Sequence, residues 1–212
     1  LRSQEILAAH PVNLKRISEG RDPANSIWPW SPGYRPQMSP INQLYPSIRS
    51  SSVISAVDLV KGIGHYAGMR VIDVEGATGL FDTNYENKAK AAIEALRTDD
   101  FVYLHVEAPD EAGHEGNFIL KNRTVEDLDS RLIGPIYEEV SKWEEPVAIA
   151  VLPDHFTPCE HRTHTSEAVP FLIYAPGLEP DSVNAFDEES CSKGGYGTVE
   201  GSEFANIFFS LK

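Results

Sequence analysis

Between residues 70 and 175, short apolar runs rich in β-branched and aromatic residues alternate with longer segments whose apolar positions recur at helical spacing. "RVIDVEG", "FVYLHVEAP", "PVAIAVLPDH" and "AVPFLIYAPG" read as strands, and "ENKAKAAIEALRT" and "TVEDLDSRLIGPIYEEVSKW" as helices. A strand that returns parallel to its predecessor needs a crossover long enough to span the sheet, and a helix supplies it. The alternation therefore predicts an α/β fold with three αβα layers around a mainly parallel sheet. The runs after residues 146 and 167 are too short for helices and continuously apolar, the pattern of strands buried on both faces. Upstream, "SSVISAVDLVKGIGHYAGM" predicts a helix over 53–67, with Val53, Ala56, Val57 and Val60 on one face and Gly68 at its end. Residues 1–50 read as irregular, with Gly, Pro, Ser and Asn threaded by Trp28, Trp30, Tyr34 and Arg35.

The charge balance narrows the partners. Asp and Glu total 32 against 18 Lys and Arg, a formal net charge of −14, which argues against a surface built to hold a nucleic-acid backbone. No run approaches the ~20 apolar residues of a membrane span, and the first residues lack the pattern of a secretory signal. Two cysteines, Cys159 and Cys191, make a poor disulfide framework. A cytoplasmic protein that binds neither membrane nor nucleic acid is the expectation.

In parallel sheets, functional groups collect beyond the carboxyl ends of the strands. Asp110 and His114 follow the strand predicted at 101–106, and Asp154 and His155 follow that at 147–152, with His164 close behind. Mixed carboxylate and imidazole donors suit zinc, manganese or related divalent ions, and five such donors suffice for one ion and part of a second. A pair of ions can clamp the attacking and leaving oxygens of a phosphoryl displacement, which reconciles an acidic protein with an anionic substrate. "CEHRTH" allows another arrangement, a structural zinc on Cys159, His161 and His164. Lys61 lies one helical turn before His65, and either is solvated or holds a phosphate as a compact cation. For Arg35 and the neighbouring Trp pair, packing and ligand contact both remain open. G-x-S-x-G and G-x-x-x-x-G-K-[ST] are absent from the chain, so neither a nucleophile elbow nor a P-loop is encoded in it.

"HVEAPDEAGHEG", "LPDHFTP" and "HTSEAVPFLIYAPG", with "NSIWPWSPGYRP", "VISAVDLVKGIGHYAGM" and "GATGLFDTNY", resemble the C-terminal half of the archaeal-type cofactor-independent phosphoglycerate mutases, members of the alkaline phosphatase superfamily. The resemblance covers roughly residues 10–210. It implies an alkaline-phosphatase-like fold and two divalent metal ions, manganese foremost, with zinc, magnesium or cobalt as alternatives. Asp110, His114 and His164 match the ligands of one ion, Asp154 and His155 those of the other, and Lys61 a lysine near the metals, while the loop from Trp28 to Arg35 would bear on substrate choice, with Arg35 the candidate substrate contact. The implied reaction interconverts 3- and 2-phosphoglycerate through a phosphoserine. The nucleophilic serine and one further aspartate ligand belong to the family's N-terminal half, so the resemblance implies a piece that is inactive alone and has the missing half as its partner. It divides the chain into residues 1–26, the end of an inserted domain or linker, and 27–212, the C-terminal part of the phosphatase-like domain. A homoserine-kinase-like phosphotransferase of the same family is the alternative, since the metal residues do not separate the two substrates.

Overall fold

A computed structural model describes residues 2–29 and 32–211. The chain divides into two compact units, residues 1–37 and 38–212. The first contains two helices, α1 (Arg2–Ala8) and α2 (Pro11–Ser18), where the sequence reading gives only irregular chain. Local capping explains them. His10 Nδ1 accepts the Val12 N–H, and Pro11 begins the helix where its missing N–H costs nothing. Asn13 is buried and its amide donates to the carbonyls of Leu7 and Ala24, each at 2.7 Å. Arg35 belongs to this unit, Trp28 and Tyr34 are exposed, and Trp30 lies outside the described residues.

The second unit opens with the short helix α3 (Ile41–Leu44), followed by β1 (Ser51–Ile54), α4 (Asp58–Tyr66), β2 (Arg70–Ile72), α5 (Tyr85–Leu96) and β3 (Phe101–Leu104). The strands form a parallel sheet in the order β2-β1-β3. The helix predicted over 53–67 is thus corrected: its first turn is the central strand, and helix begins only at Asp58. All four β1 residues are buried. A strand paired on both edges and covered on both faces needs β-branched or small residues at every position, and "SSVI" meets that demand better than it meets a helix's. The serine run read as a helix cap is instead strand, with Ser52 Oγ donating to Asp99 Oδ2.

The two crossovers run in opposite directions across the sheet, so right-handed connections put α4 and α5 on opposite faces. Val53 faces α4, and its alternating neighbours Ser52 and Ile54 face the α5 side. The approach of α4 to β1 depends on Gly64: a methyl group there would stand 2.5 Å from Val53 Cγ1. Val53 is 1% exposed and has nowhere to retreat. Gly64→Ala is therefore expected to destabilise the fold by about 1–3 kcal/mol despite alanine's better helix propensity, measured as a lowered urea midpoint; an unchanged midpoint would show that α4 can slide.

Beyond β3 come α6 (Ala108–His114), α7 (Phe118–Leu128), a π-helical turn (Asp129–Ile133) and α8 (Gly134–Val140). The last three make one continuous helical path that begins six residues before "TVEDLDSRLIGPIYEEVSKW", because Asn117 caps it by accepting the Leu120 N–H. Pro135 has no N–H to give, and the ladder shifts by one residue just before it, Gly134 N–H reaching back to Asp129 O. Tyr85, Ala89, Ala108 and Leu132 form the core, with Leu104, Val106, Leu128 and Ile136 packed against it.

Two further strands, β4 (Ile149–Val151) and β5 (Leu172–Tyr174), pair antiparallel as a separate ribbon. Both were expected to be buried on two faces, yet neither is fully buried and Leu172 is exposed. No helix separates them, so no crossover is available to make them parallel. The chain ends with α9 (Glu188–Cys191) and α10 (Gly201–Phe209), whose Phe209 ring packs on Tyr45 and Phe101. Among the described residues no helix is long and apolar enough to cross a membrane.

Candidate metal centre

The strand ends deliver the acids and imidazoles to one place. Asp110 and His114 sit four residues apart on α6, on one face of the helix. Asp154 and His155 follow β4, and His164 comes from the loop between β4 and β5. Asp110 is the hub: Oδ2 lies 3.3 Å from His114 Nε2, and Oδ1 lies 3.3 Å from His164 Nε2 and 3.9 Å from His155 Nδ1. The two Nε2 atoms of His114 and His164 are 3.1 Å apart, and the rings of His155 and His164 stack at 3.6 Å. Asp154 Oδ2 lies 3.4 Å from His155 Nε2.

Hydrogen bonding explains which nitrogens point inward. His114 Nδ1 is 3.0 Å from the Arg162 carbonyl oxygen, which only accepts, so Nδ1 carries the proton and Nε2 keeps its lone pair. Arg162 reaches this position with φ of 54°, a left-handed conformation uncommon for a side-chain-bearing residue. Gly113 permits the close approach of α6 to the loop after β4, because a methyl group there would overlap the Thr157 carbonyl oxygen.

Asp110, His114 and His164 each offer a donor atom within 4.8 Å of the others. One carboxylate and two imidazole Nε2 atoms converging at these distances are a donor set suited to a first-row divalent ion. Asp154 and His155 adjoin that group as a second acid and imidazole pair. Glu107, Asp110 and Glu111 form an overlapping acidic group. Among the described residues, neither three-ligand group includes Cys159 or His161; His164, which the structural-zinc arrangement would have used, faces Asp110 instead. Lys61 projects from α4 to Asp73 Oδ1 at 2.7 Å, so its ion pair is with the end of β2 rather than with the Asp110 group.

Three residues beside the centre escaped the sequence reading. Lys88, on α5, is completely buried, with Nζ 3.3 Å from the Thr78 carbonyl oxygen. Burial pushes its ammonium down to about 8, only partly opposed by the negative charge of Glu107. Glu107 is held above the ordinary carboxylate range by burial and by the repulsion of Glu111, Asp110 and Asp154, with Lys88 opposing. His105, at the end of β3, is lowered by burial despite the attraction of Asp154, and its Nδ1 lies 3.2 Å from Ser55 Oγ. A lysine in an amphipathic helix normally marks the solvent face; only the helical phase of Lys88, shared with buried Tyr85, Ala92 and Ala95, hints otherwise.

Comparison with known proteins places the chain among metalloenzymes. A protein-family profile described as Metalloenzyme superfamily matches residues 26–211. A protein of Methanosarcina barkeri named 2,3-bisphosphoglycerate-independent phosphoglycerate mutase is 53% identical over 212 residues, covering 100% of this chain and 53% of the relative. A Geobacter sulfurreducens protein named a probable mutase of the same kind is 47% identical over 200 residues, 94% of this chain and 49% of the relative. Among solved structures, a Pyrococcus horikoshii protein superposes with a TM-score of 0.85 at 37% identity, covering 99% of this chain and 55% of the other. The cofactor-independent phosphoglycerate mutase of Thermoplasma acidophilum superposes with a TM-score of 0.57 at 26% identity, covering 91% and 44%. The chain spans about half the length of the curated relatives it matches. With an α/β fold whose strand ends gather acids and imidazoles, and with a profile match over residues 26–211, the chain belongs to the metalloenzyme superfamily, and its relatives include proteins named phosphoglycerate mutases independent of 2,3-bisphosphoglycerate.

Proposed function

We propose that this chain is the metal-binding half of a phosphotransferase that interconverts 3-phosphoglycerate and 2-phosphoglycerate. The observation that carries the proposal is the convergence of Asp110, His114 and His164 on one point, with His155 stacked on His164 and Asp154 beyond it. Asp110, His114 and His164 hold one divalent ion; Asp154 and His155 contribute to a second, manganese being the ion the family resemblance favours. Bound there, the ions supply charge neutralisation and Lewis-acid polarisation for a phosphoryl group.

The chain's own residues do the positioning. The Arg162 carbonyl fixes the His114 ring, and the Thr157 hydroxyl ties His155 to Asp110. Glu107, whose carboxyl is pushed upward by burial and by the repulsion of Glu111, Asp110 and Asp154, shares an acidic group with Asp110 and offers a carboxyl able to exchange a proton. The nucleophile and the remaining substrate contacts come from the rest of the protein, and Arg35 and Lys61 remain candidate phosphate contacts in the whole enzyme.

The test is an assay of the whole protein on 3-phosphoglycerate. Activity is expected to vanish on treatment with a strong chelator and return with Mn²⁺, and to be lost in His164→Ala. Turnover of 3-phosphoglycerate unaffected by the chelator would overturn the metal assignment; metal-dependent turnover of an amino-acid alcohol with ATP, and none of 3-phosphoglycerate, would overturn the substrate.

A further inference from the structure

Thr157 stands between the two halves of the centre and has a role that neither ligand set explains. It is buried, 3% exposed, in the loop that follows β4. Its Oγ1 makes two contacts: a hydrogen bond to Asp110 Oδ1, and one of 3.2 Å to His155 Nδ1. A hydroxyl has one proton to give. An ionised carboxylate only accepts, so the Thr157 proton goes to Asp110. The other contact must then run the opposite way, with His155 Nδ1–H donating to Thr157 Oγ1. His155 Nε2 is left with its lone pair, on the side of the ring where Asp154 Oδ2 lies at 3.4 Å.

We propose that Thr157 is a positioning residue that sets the His155 tautomer in one half-site from the Asp110 carboxylate of the other, and so couples the two half-sites through a single hydroxyl. This inference rests on the metal reading for its consequence and on hydrogen-bond geometry alone for its premise. The relay runs His155 Nδ1–H to Thr157 Oγ1–H to Asp110 Oδ1, with its middle member buried. Two restraints hold its middle member in place. Lys121 Nζ donates to the Thr157 carbonyl oxygen at 2.6 Å, and Gly113 leaves no space between α6 and the Thr157 backbone. The side chain cannot turn away without giving up both hydrogen bonds in a partly buried site, which is the condition under which a hydrogen bond orients a ligand firmly. Withdrawal of charge from Asp110 by a cation on the His114 and His164 side weakens the Thr157 acceptor and changes the basicity of the His155 Nε2 lone pair. Occupancy of one half-site is therefore felt by the other.

Two measurements on the whole protein test this. In the metal-free protein at pH 8, nitrogen-15 NMR of the histidine side chains is expected to show His155 protonated at Nδ1; Thr157→Val moves the population to the Nε2-protonated form, and Thr157→Ser restores it. Calorimetric titration with Mn²⁺ alone is expected to show Thr157→Val weakening binding by roughly 10- to 100-fold, the range for loss of an orienting partner, with Thr157→Ser within a few-fold of the parent. His155 protonated at Nε2 in the parent protein overturns the proposal whatever the variants do, so a valine variant that fails to fold does not shield it. Unchanged Mn²⁺ affinity in a folded Thr157→Val also overturns it. A protein that takes up no Mn²⁺ but shows the tautomer switch sinks the metal reading while supporting the relay.

Discussion

Asp110→Asn is expected to reduce Mn²⁺ affinity of the chain by at least about 100-fold, equivalent to about 2.7 kcal/mol, with little change in the fold. Asparagine has the same shape, so the packing of α6 is preserved and the amide oxygen can still accept from Thr157. What disappears is the negative charge at the point where His114 Nε2 and His164 Nε2 each approach within 3.3 Å. Two neutral imidazoles make a poor site for a hard divalent ion without a carboxylate between them. The metal-free chain gains in one respect, because Asp110 also repels Glu107 and Glu111 in the overlapping acidic group. Calorimetry and circular dichroism on the same samples measure both quantities. An affinity within threefold of the parent would mean that Asp110 is an ordinary structural carboxylate and that the ion sits elsewhere.

The second large effect concerns Lys88. Its ammonium is held at about 8 in the folded chain, against an ordinary lysine near 10.5. A lysine depressed on folding destabilises the folded state wherever the group is charged in both states. Below pH 8 both states carry the proton and the full penalty applies. Between about pH 8 and 10.5 the folded chain sheds the proton before the unfolded chain does, so stability rises with pH across that window. Lys88→Met, which fills the same space without charge, is expected to stabilise the chain at pH 7 by about 2 kcal/mol and to flatten the rise between pH 8 and 10, both read from urea unfolding. A variant less stable at pH 7 would show that attraction to Glu107 and the bond to Thr78 outweigh desolvation. Removing Lys88 also removes the cation that opposes the upward push on Glu107.

The fold was legible where the signal was local. Strands at 70–72, 101–104, 149–151 and 172–174 fall within the apolar runs read as strands, and the helix at 85–96 starts one residue before the segment read as helix. The misread segments are those where context overrides pattern. "SSVI" carries apolar and small residues that serve either state, and it became strand because it lies between β2 and β3 and is covered on both faces. β4 and β5 carry the apolar composition of central strands, yet they pair antiparallel outside the parallel sheet, since composition does not encode a partner.

For the centre, the amino-acid sequence by itself determined which residue types stand just past which strands: Asp110 and His114 after β3, Asp154 and His155 after β4. Strand ends and turn composition are properties of a few neighbouring residues, and they are written in order along the chain. Only the tertiary structure decided which atoms face one another. His114 meets His164 across 50 residues of chain, and Thr157 meets Asp110 across 47. The same holds for Lys88, whose burial depends on elements far from it. Hydrogen-bond direction, tautomer and desolvation are set by neighbours in space, and a linear pattern does not specify those neighbours until α6 has closed on the loop after β4.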